Sequence, residues 1–161
     1  MKLIDKAIEL ELSGEQYYHQ QTLKNQGTTL EPVFNYLALS ELKHAQLLRQ
    51  VAAGVFPEVD LEESGQEDNL FASLGDFKVD AAHVPDQLNV YRSAQDIEHT
   101  MIEVYQKLLK DSTNPDEKRV LAFLVIQEQR HLKLMESLGD LLQNAEEWVE
   151  SAEFGRRETE F

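Results

Sequence analysis

The sequence predicts an all-α protein, a bundle of four helices built as two helical hairpins. Apolar residues recur alternately three and four positions apart in four segments, which is the spacing of one buried helix face. Of 161 residues, 42% are hydrophobic and only four are proline. Several residues also recur at one constant offset, so the two halves of the chain are alike. A chain of this length is enough for one domain, and residues 1–161 are taken as one.

The first predicted hairpin spans residues 3–53. Its first helix runs from about residue 3 to Lys24, because the Asn-Gln-Gly sequence at 25–27 is typical of a helix end. The second helix tolerates Pro32 in its first turn, where a missing N–H does no harm. It is predicted to end near 53–54, an Ala-Gly pair.

Residues 54–86 have no good helical period and are predicted to form a crossover between the hairpins. Their first part is acidic, yet apolar residues are too frequent for a disordered linker. These are Phe56, Leu61, Leu70, Phe71, Leu74 and Phe77. Because so long a connection can return along the whole bundle, we expect the second and third helices to run parallel. The short links within the hairpins force antiparallel neighbours.

The second predicted hairpin spans residues 87–144. Its last helix has the clearest start signal, with Asn114 as N-cap, Pro115 at the first helical position and Glu117 three residues after the cap. This helix is expected to continue to about Asn144.

The C-terminal segment 145–161 is predicted to contain a short helix, Ala145 to Phe154, that carries Trp148 back onto the bundle. Trp148 and the phenylalanines of the crossover offer apolar surface that one bundle does not cover. We therefore expect a homo-oligomer, most simply a homodimer.

Composition excludes several classes of function. Thirty acidic against fifteen basic residues give a net charge of −15, which disfavours nucleic acid and anionic membranes as partners. The absence of cysteine excludes disulfides, thiolate catalysis, iron–sulfur clusters and cysteine-ligated zinc. There is no membrane-length apolar stretch, and the N-terminus meets Asp5 too soon for a signal peptide. A cytoplasmic location is expected.

Six chemistry-bearing residues recur 87 positions apart on the apolar seams. The differences 98 − 11, 128 − 41 and 131 − 44 all equal 87, and they relate Glu11, Glu41 and His44 to Glu98, Glu128 and His131. A single Glu-x-x-His is usually a solvated helix face. Two copies on buried seams, each preceded by a seam Glu at the same distance, instead predict that four helices each direct a carboxylate into one core.

Four buried carboxylates need compensating positive charge, since each would otherwise cost several kcal/mol. Two divalent cations supply four positive charges, and neutral imidazoles complete the shell. Glu and His three apart on a helix share a face and can hold one ion together. One Glu from each of two helices and a Glu-x-x-His from each of the other two form the pattern of di-iron and di-manganese carboxylate proteins.

These motifs resemble the rubrerythrin family of ferritin-like di-iron proteins over residues 3–53 and 88–142. The resemblance rests on Glu11 with Tyr18, Glu41-Leu42-Lys43-His44, Glu98 with Tyr105, and Glu128-Gln129-Arg130-His131. It implies a ferritin-like bundle and a non-haem centre of two iron ions, which manganese or zinc could replace. Glu41 and Glu128 would bridge the ions, Glu11 and Glu98 would be terminal ligands, and each ion would take one His.

The sequence departs from typical rubrerythrins at two points and also lacks the haem ligand of bacterioferritins. It has no cysteine for the C-terminal rubredoxin domain of typical rubrerythrins. Met101 stands where they carry an extra Glu, which weakens the transfer of peroxidase chemistry. Leu42 and Gln129 replace the Met by which bacterioferritins bind haem, so haem is not implied.

The expected function is reduction of peroxide by a di-iron oxidoreductase that receives electrons from a separate donor. A ferroxidase that handles iron and uses dioxygen is the alternative, and a metal-free structural bundle is a third class that metal analysis would test. Tyr18 and Tyr105 lie two turns from Glu11 and Glu98 on the same faces. Their phenols are candidates to hydrogen-bond a ligating carboxylate or relay an electron, with a plain core role as the other reading.

Overall fold

The computed structural model describes residues 1–63, 65–74 and 84–158, with side chains for 1–63, 65–74 and 87–144. These residues contain helices and no strand. The helices are α1 (Leu3–Lys24), α2 (Glu31–Ala52), α3 (Glu67–Ala72), α4 (Val84–Asp111) and α5 (Pro115–Glu158). The all-α ferritin-like bundle is confirmed. None of the helices in the described ranges is long and apolar enough to cross a membrane.

Local sequence signals place the helix ends. Gly27 and Gly54 have φ angles of 80° and 78°, a conformation that glycine adopts without steric cost, and they follow α1 and α2. At the start of α5, Asn114 Oδ1 accepts hydrogen bonds from the backbone N–H groups of Asp116 at 2.9 Å and Glu117 at 3.3 Å. The predicted ends of the first two helices and the predicted N-cap are confirmed.

Helices α1 and α2 form one antiparallel hairpin, and α4 and α5 form the other. In the first hairpin, Tyr18 near the end of α1 stacks on Phe34 near the start of α2, while Glu11 lies beside His44 further along α2. Residues earlier in α1 thus lie beside residues later in α2, so the two helices are antiparallel. The two predicted hairpins are therefore present.

The contacts of α1 with α4 settle the relative direction of the hairpins. Tyr18 of α1 bonds Glu98 of α4, and Tyr105 near the end of α4 bonds Glu11 of α1. Helix α1 is thus antiparallel to α4 as well as to α2, so α2 and α4 run parallel. This is the arrangement that the long crossover predicts.

The crossover packs against the bundle, as predicted, but it also contains the six-residue helix α3, which the lack of a helical period did not predict. Leu74 is buried, and Phe56 and Leu61 are partly buried against the core. Phe71 is 37% exposed. Phe77 lies outside the described residues. Helix α4 begins at 84, three residues before the predicted hairpin, since Pro85 is tolerated in a first turn.

The prediction of a separate C-terminal helix is wrong, because α5 continues without interruption from Pro115 to Glu158. No proline or glycine lies between Gly139 and Gly155, so nothing in the local sequence breaks the helix near residue 144. The side chain of Trp148 lies outside the described side chains. The homodimer therefore stays a prediction.

Candidate metal centre

The structure brings all six predicted site residues together in the middle of the bundle. Each of the four long helices contributes at its buried seam, and all six residues are at most 3% exposed. They are Glu11 of α1, Glu41 and His44 of α2, Glu98 of α4, and Glu128 and His131 of α5. The seam periodicity places them there, because residues three and four apart share one helix face.

The six side chains fall into two overlapping sets of four. In each set the candidate ligand atoms all lie within 4.8 Å of one another. The first set is Glu11, Glu41, His44 and Glu128, and the second is Glu41, Glu98, Glu128 and His131. The sets share two carboxylates, so the arrangement suits two neighbouring cations.

Glu41 and Glu128 each direct one oxygen toward each imidazole. The Oε1 atom of Glu128 lies 2.6 Å from Nδ1 of His44, and its Oε2 atom lies 3.3 Å from Nδ1 of His131. For Glu41, Oε2 lies 3.6 Å from the first Nδ1 and Oε1 lies 3.2 Å from the second. Both carboxylates therefore span the two halves of the site.

The other two carboxylates each belong to one half. Glu11 Oε1 lies 3.6 Å from Nδ1 of His44, and Glu98 Oε2 lies 3.8 Å from Nδ1 of His131. Both imidazoles direct the same nitrogen, Nδ1, into the cluster. The result is an approximate twofold arrangement that matches the 87-residue repeat.

The residues present fit a pair of metal ions. Within the described part of the chain, five buried carboxylate oxygens at this site have no hydrogen-bond partner. They are Oε2 of Glu11, Glu41 and Glu98 and both oxygens of Glu128. A buried oxygen without a partner is expensive, whereas cations would satisfy all five. Carboxylate and imidazole ligands suit iron, manganese and zinc.

Without metal, the histidines carry the compensating charge. Burial by itself would lower the pKa of His44, but the attraction of Glu128 and Glu41 outweighs it and raises that pKa to about 10. Burial would likewise raise the pKa of Glu128, yet the charges and contacts of both imidazoles hold it well below its usual range. Burial and the neighbouring carboxylates raise the pKa of Glu98 well above normal. Protons thus occupy the place that cations would take.

Tyr18 and Tyr105 both donate to carboxylates of the cluster, and each crosses to the other hairpin. The Tyr18 hydroxyl donates to Glu98 Oε1 at 2.5 Å, and the Tyr105 hydroxyl donates to Glu11 Oε1. Burial raises the pKa of both phenols, so both keep the proton that they donate. A phenol seven residues away on the same helix is about 10 Å along the axis, too far to reach its own Glu.

We expect Tyr18→Phe to lower the melting temperature of the metal-free protein. The substitution leaves a buried Glu98 oxygen without its donor, which costs about 1–3 kcal/mol, or roughly 3–10 °C at this chain length. Tyr17→Phe is the matched control, because Tyr17 donates to the Val90 carbonyl at a half-buried position that water can reach. Thermal melts followed by circular dichroism make the comparison, and equal losses in the two variants would contradict it.

Two residues behind His131, Glu67 and Tyr36, are not predicted by the sequence pattern. Glu67 of α3 is buried, its Oε1 accepts a hydrogen bond from the Tyr36 hydroxyl at 2.7 Å, and it lies 4.0 Å from Nε2 of His131. Seam periodicity could not find Glu67, because the crossover has no seam. The local sequence feature that could have pointed to it is the position of Glu67 two residues after Gly65, in a segment that also carries apolar residues.

A cleft of about 430 Å³ leads from the surface to His44. It lies between α2, α5 and the crossover, and its walls combine polar and apolar side chains. Its lining includes Tyr36, Ser40, His44, Gly65, Phe123 and Gln127. Its volume is ample for a small oxidant, and His44 is the cluster residue that lines it.

Comparison with known proteins agrees with the geometry. The sequence profile of the rubrerythrin family matches residues 2–139, which include all six cluster residues and both tyrosines. No curated protein and no solved structure matches the chain. With the profile covering most of the chain and the carboxylate–histidine cluster at its centre, the protein belongs to the rubrerythrin family, whose members are of the di-iron oxidoreductase type.

Proposed function

We propose that the protein is a non-haem di-iron oxidoreductase that reduces peroxide with electrons from a separate donor. The observation that carries the proposal is the pair of overlapping ligand sets, which share Glu41 and Glu128. Two ions held by shared carboxylates suit chemistry in which two electrons move together. Membership of the rubrerythrin family supports the redox class.

In this proposal the six side chains hold two ions. Glu41 and Glu128 would be shared by the two ions, since each presents an oxygen to both halves of the site. Glu11 and His44 would complete the hold on one ion, and Glu98 and His131 would complete it on the other. Four carboxylates carry four negative charges, and two divalent cations carry four positive charges. The buried cluster would therefore be neutral with uncharged imidazoles.

When bound, two ferrous ions supply the two electrons that one peroxide needs. The side chains of the protein hold the ligating carboxylates in position and shield the site. Tyr18 and Tyr105 anchor Glu98 and Glu11 from opposite sides of the bundle. Reduction of one hydrogen peroxide to two waters takes up two protons, and the cleft that reaches His44 connects the site with solvent to provide them.

Buried apolar side chains precede and follow the cluster residues along the helix seams, and we expect them to limit stray reactions of the oxidant. These side chains are fully or almost fully buried and come from the two helices that carry the Glu-x-x-His motifs. They are Phe34, Leu37, Leu121, Leu124 and Met135.

A separate protein or small molecule must return the electrons. None of the 161 residues is cysteine, so this chain cannot hold a cysteine-ligated iron centre of the rubredoxin type. The proposed partners are thus peroxide as substrate and an external reductant.

The iron-loaded, reduced protein is expected to consume about one peroxide per di-iron site and then stall until a donor is added. Stopped-flow mixing with hydrogen peroxide measures the first turnover, and added rubredoxin measures its renewal. Glu128→Ala tests the site, with Glu136→Ala as the matched control because Glu136 is exposed on the same helix. Equal peroxide consumption by both variants would contradict the proposal.

One observation favours the ferroxidase alternative. Met101, where typical rubrerythrins carry a further carboxylate, is buried on the seam of α4 one turn from Glu98. An apolar side chain there offers no additional ligand when the iron changes oxidation state. If dioxygen oxidises the reduced site much faster than peroxide does, and a ferric mineral accumulates, iron handling is the function.

A further inference from the structure

Glu67 reaches the metal centre from outside the four-helix repeat. It lies on α3 in the crossover, and its side chain is buried, whereas the neighbouring Asp68 is exposed. Its Oε1 atom accepts the hydrogen bond of Tyr36 and lies 4.0 Å from Nε2 of His131. A buried carboxylate on an otherwise surface-exposed short helix needs a partner inside the protein.

His131 offers that partner. Its Nδ1 faces the cluster, 3.2 Å from Glu41 and 3.3 Å from Glu128, so Nε2 points away from the cluster toward Glu67. Nε2 is buried and has no hydrogen-bond partner in the described part of the protein. An imidazole that binds a metal through one nitrogen carries hydrogen on the other, and that hydrogen needs an acceptor.

Gly65 makes room for the Glu67 carboxylate. A Cβ atom built on Gly65 would overlap both carboxylate oxygens and the carboxyl carbon of Glu67. Because the overlap is with the end of a flexible side chain, an added methyl group would displace the carboxylate and leave the backbone in place. Gly65 thus permits the inward position of Glu67.

Tyr36 holds the carboxylate in line with the imidazole. Its ring meets the His131 ring edge-on, with 6.1 Å between centroids and an interplanar angle of 80°. Burial and the bond to Glu67 raise the pKa of Tyr36 to about 12, so the phenol stays a donor. Tyr36 therefore contacts both the Glu67 carboxylate and the His131 ring.

We propose that Glu67 is a positioning residue that accepts the Nε2 hydrogen of His131 and so holds its Nδ1 lone pair toward the metal. The proposal rests on the metal binding described under Proposed function. It requires the 4.0 Å separation to close by about 1 Å in the loaded protein, to hydrogen-bond length. Glu67 is not itself a ligand, because the imidazole lies between it and the cluster.

The role separates the two halves of the site. In the described residues, every close contact of His44 with a carboxylate uses Nδ1, and His44 also lines the open cleft. Only His131 has a carboxylate behind it. The crossover therefore fixes the imidazole of the His131 half, while the imidazole of the other half lines the cleft.

The test is cobalt(II) binding by Glu67→Ala, Glu67→Gln and Gly65→Ala, with Asp68→Ala as the exposed control on the same helix. Calorimetry is expected to show one of the two cobalt ions bound 10–100-fold more weakly in Glu67→Ala, as is usual when such an outer partner is lost. Gly65→Ala is expected to weaken the same ion by displacing the carboxylate. Glu67→Gln is expected to recover most of the affinity, because its amide oxygen still accepts.

Proton NMR of the cobalt-loaded protein supplies a signature that a merely structural residue would not change. The imidazole N–H hydrogens give shifted, exchangeable signals, and one of them is expected to exchange with deuterium at least about tenfold faster in Glu67→Ala and Gly65→Ala. Asp68→Ala is expected to match the wild type. These results would support the positioning role.

Two results would overturn the proposal, and they are distinguishable. If the wild-type protein binds cobalt but Glu67→Ala and Gly65→Ala keep its affinity and its exchange rates, the positioning role is wrong and the metal centre stands. If the wild-type protein takes up no cobalt, iron, manganese or zinc, the metal centre and the positioning role are both wrong.

Discussion

Substitution of Glu128 by alanine is expected to remove most of the metal binding of the protein. Glu128 makes the shortest carboxylate–imidazole contact of the cluster, 2.6 Å to His44, and its two oxygens serve both halves of the site. Its loss therefore weakens two ions at once. We expect about two ions per chain in the wild type and fewer than about one in Glu128→Ala, with almost none in Glu41→Ala/Glu128→Ala.

Elemental analysis of protein reconstituted with ferrous iron under anaerobic conditions and then desalted measures these numbers. Glu136→Ala removes an exposed carboxylate from the same helix and should keep the wild-type metal content. Circular dichroism of each variant shows whether the bundle is intact. Retention of both ions by the double variant would sink the assignment of the cluster as a metal centre.

Metal removal is expected to lower the melting temperature by roughly 10 °C or more near neutral pH. Ions that bind only the folded protein add several kcal/mol of stability, and a protein of this size gains about 2–4 °C per kcal/mol. The unpartnered oxygens of the cluster explain the direction, since only cations or protons satisfy them.

The difference is expected to widen as pH rises. The folded-state pKa of His44 is about 10, against about 6.5 when unfolded. A raised pKa stabilises the metal-free fold fully below pH 6.5, and that contribution is lost as pH rises through about 10. The raised pKa of Glu98 acts in the same direction, while the lowered pKa of Glu128 matters only at acidic pH.

Melting curves between pH 6.5 and 9, recorded with bound metal and with a chelator, test both statements. The metal-free protein should lose stability across this range, and the loaded protein should lose less because cations have replaced the protons. Glu136→Ala serves again as control and should follow the wild type. Equal midpoints with and without chelator would mean that the buried carboxylates are not organised around metal.

The sequence by itself determined the helices of the hairpins and the cluster at their centre. A seam residue is buried because helical period places it on the face that packs, so Glu41, His44, Glu128 and His131 could be assigned from spacing alone. The 87-residue offset then related Glu11 to Glu98. Capping signals such as Asn114 act within a few residues, and the structure has the start of α5 where the sequence predicts it.

Only the tertiary structure decided which side chains meet across helices. Helical periodicity of the apolar residues shows that Tyr18 faces the core. Its hydrogen bond to Glu98 of the other hairpin, however, depends on the antiparallel packing of α1 and α4. Glu67 lies in an irregular crossover, where burial follows from the path of the chain rather than from any repeat. The same holds for the cleft at His44, whose walls come from α2, α5 and the crossover. The spacing of residues along one helix determines which of them share a face. Contacts between residues far apart in sequence depend on how those faces pack against one another.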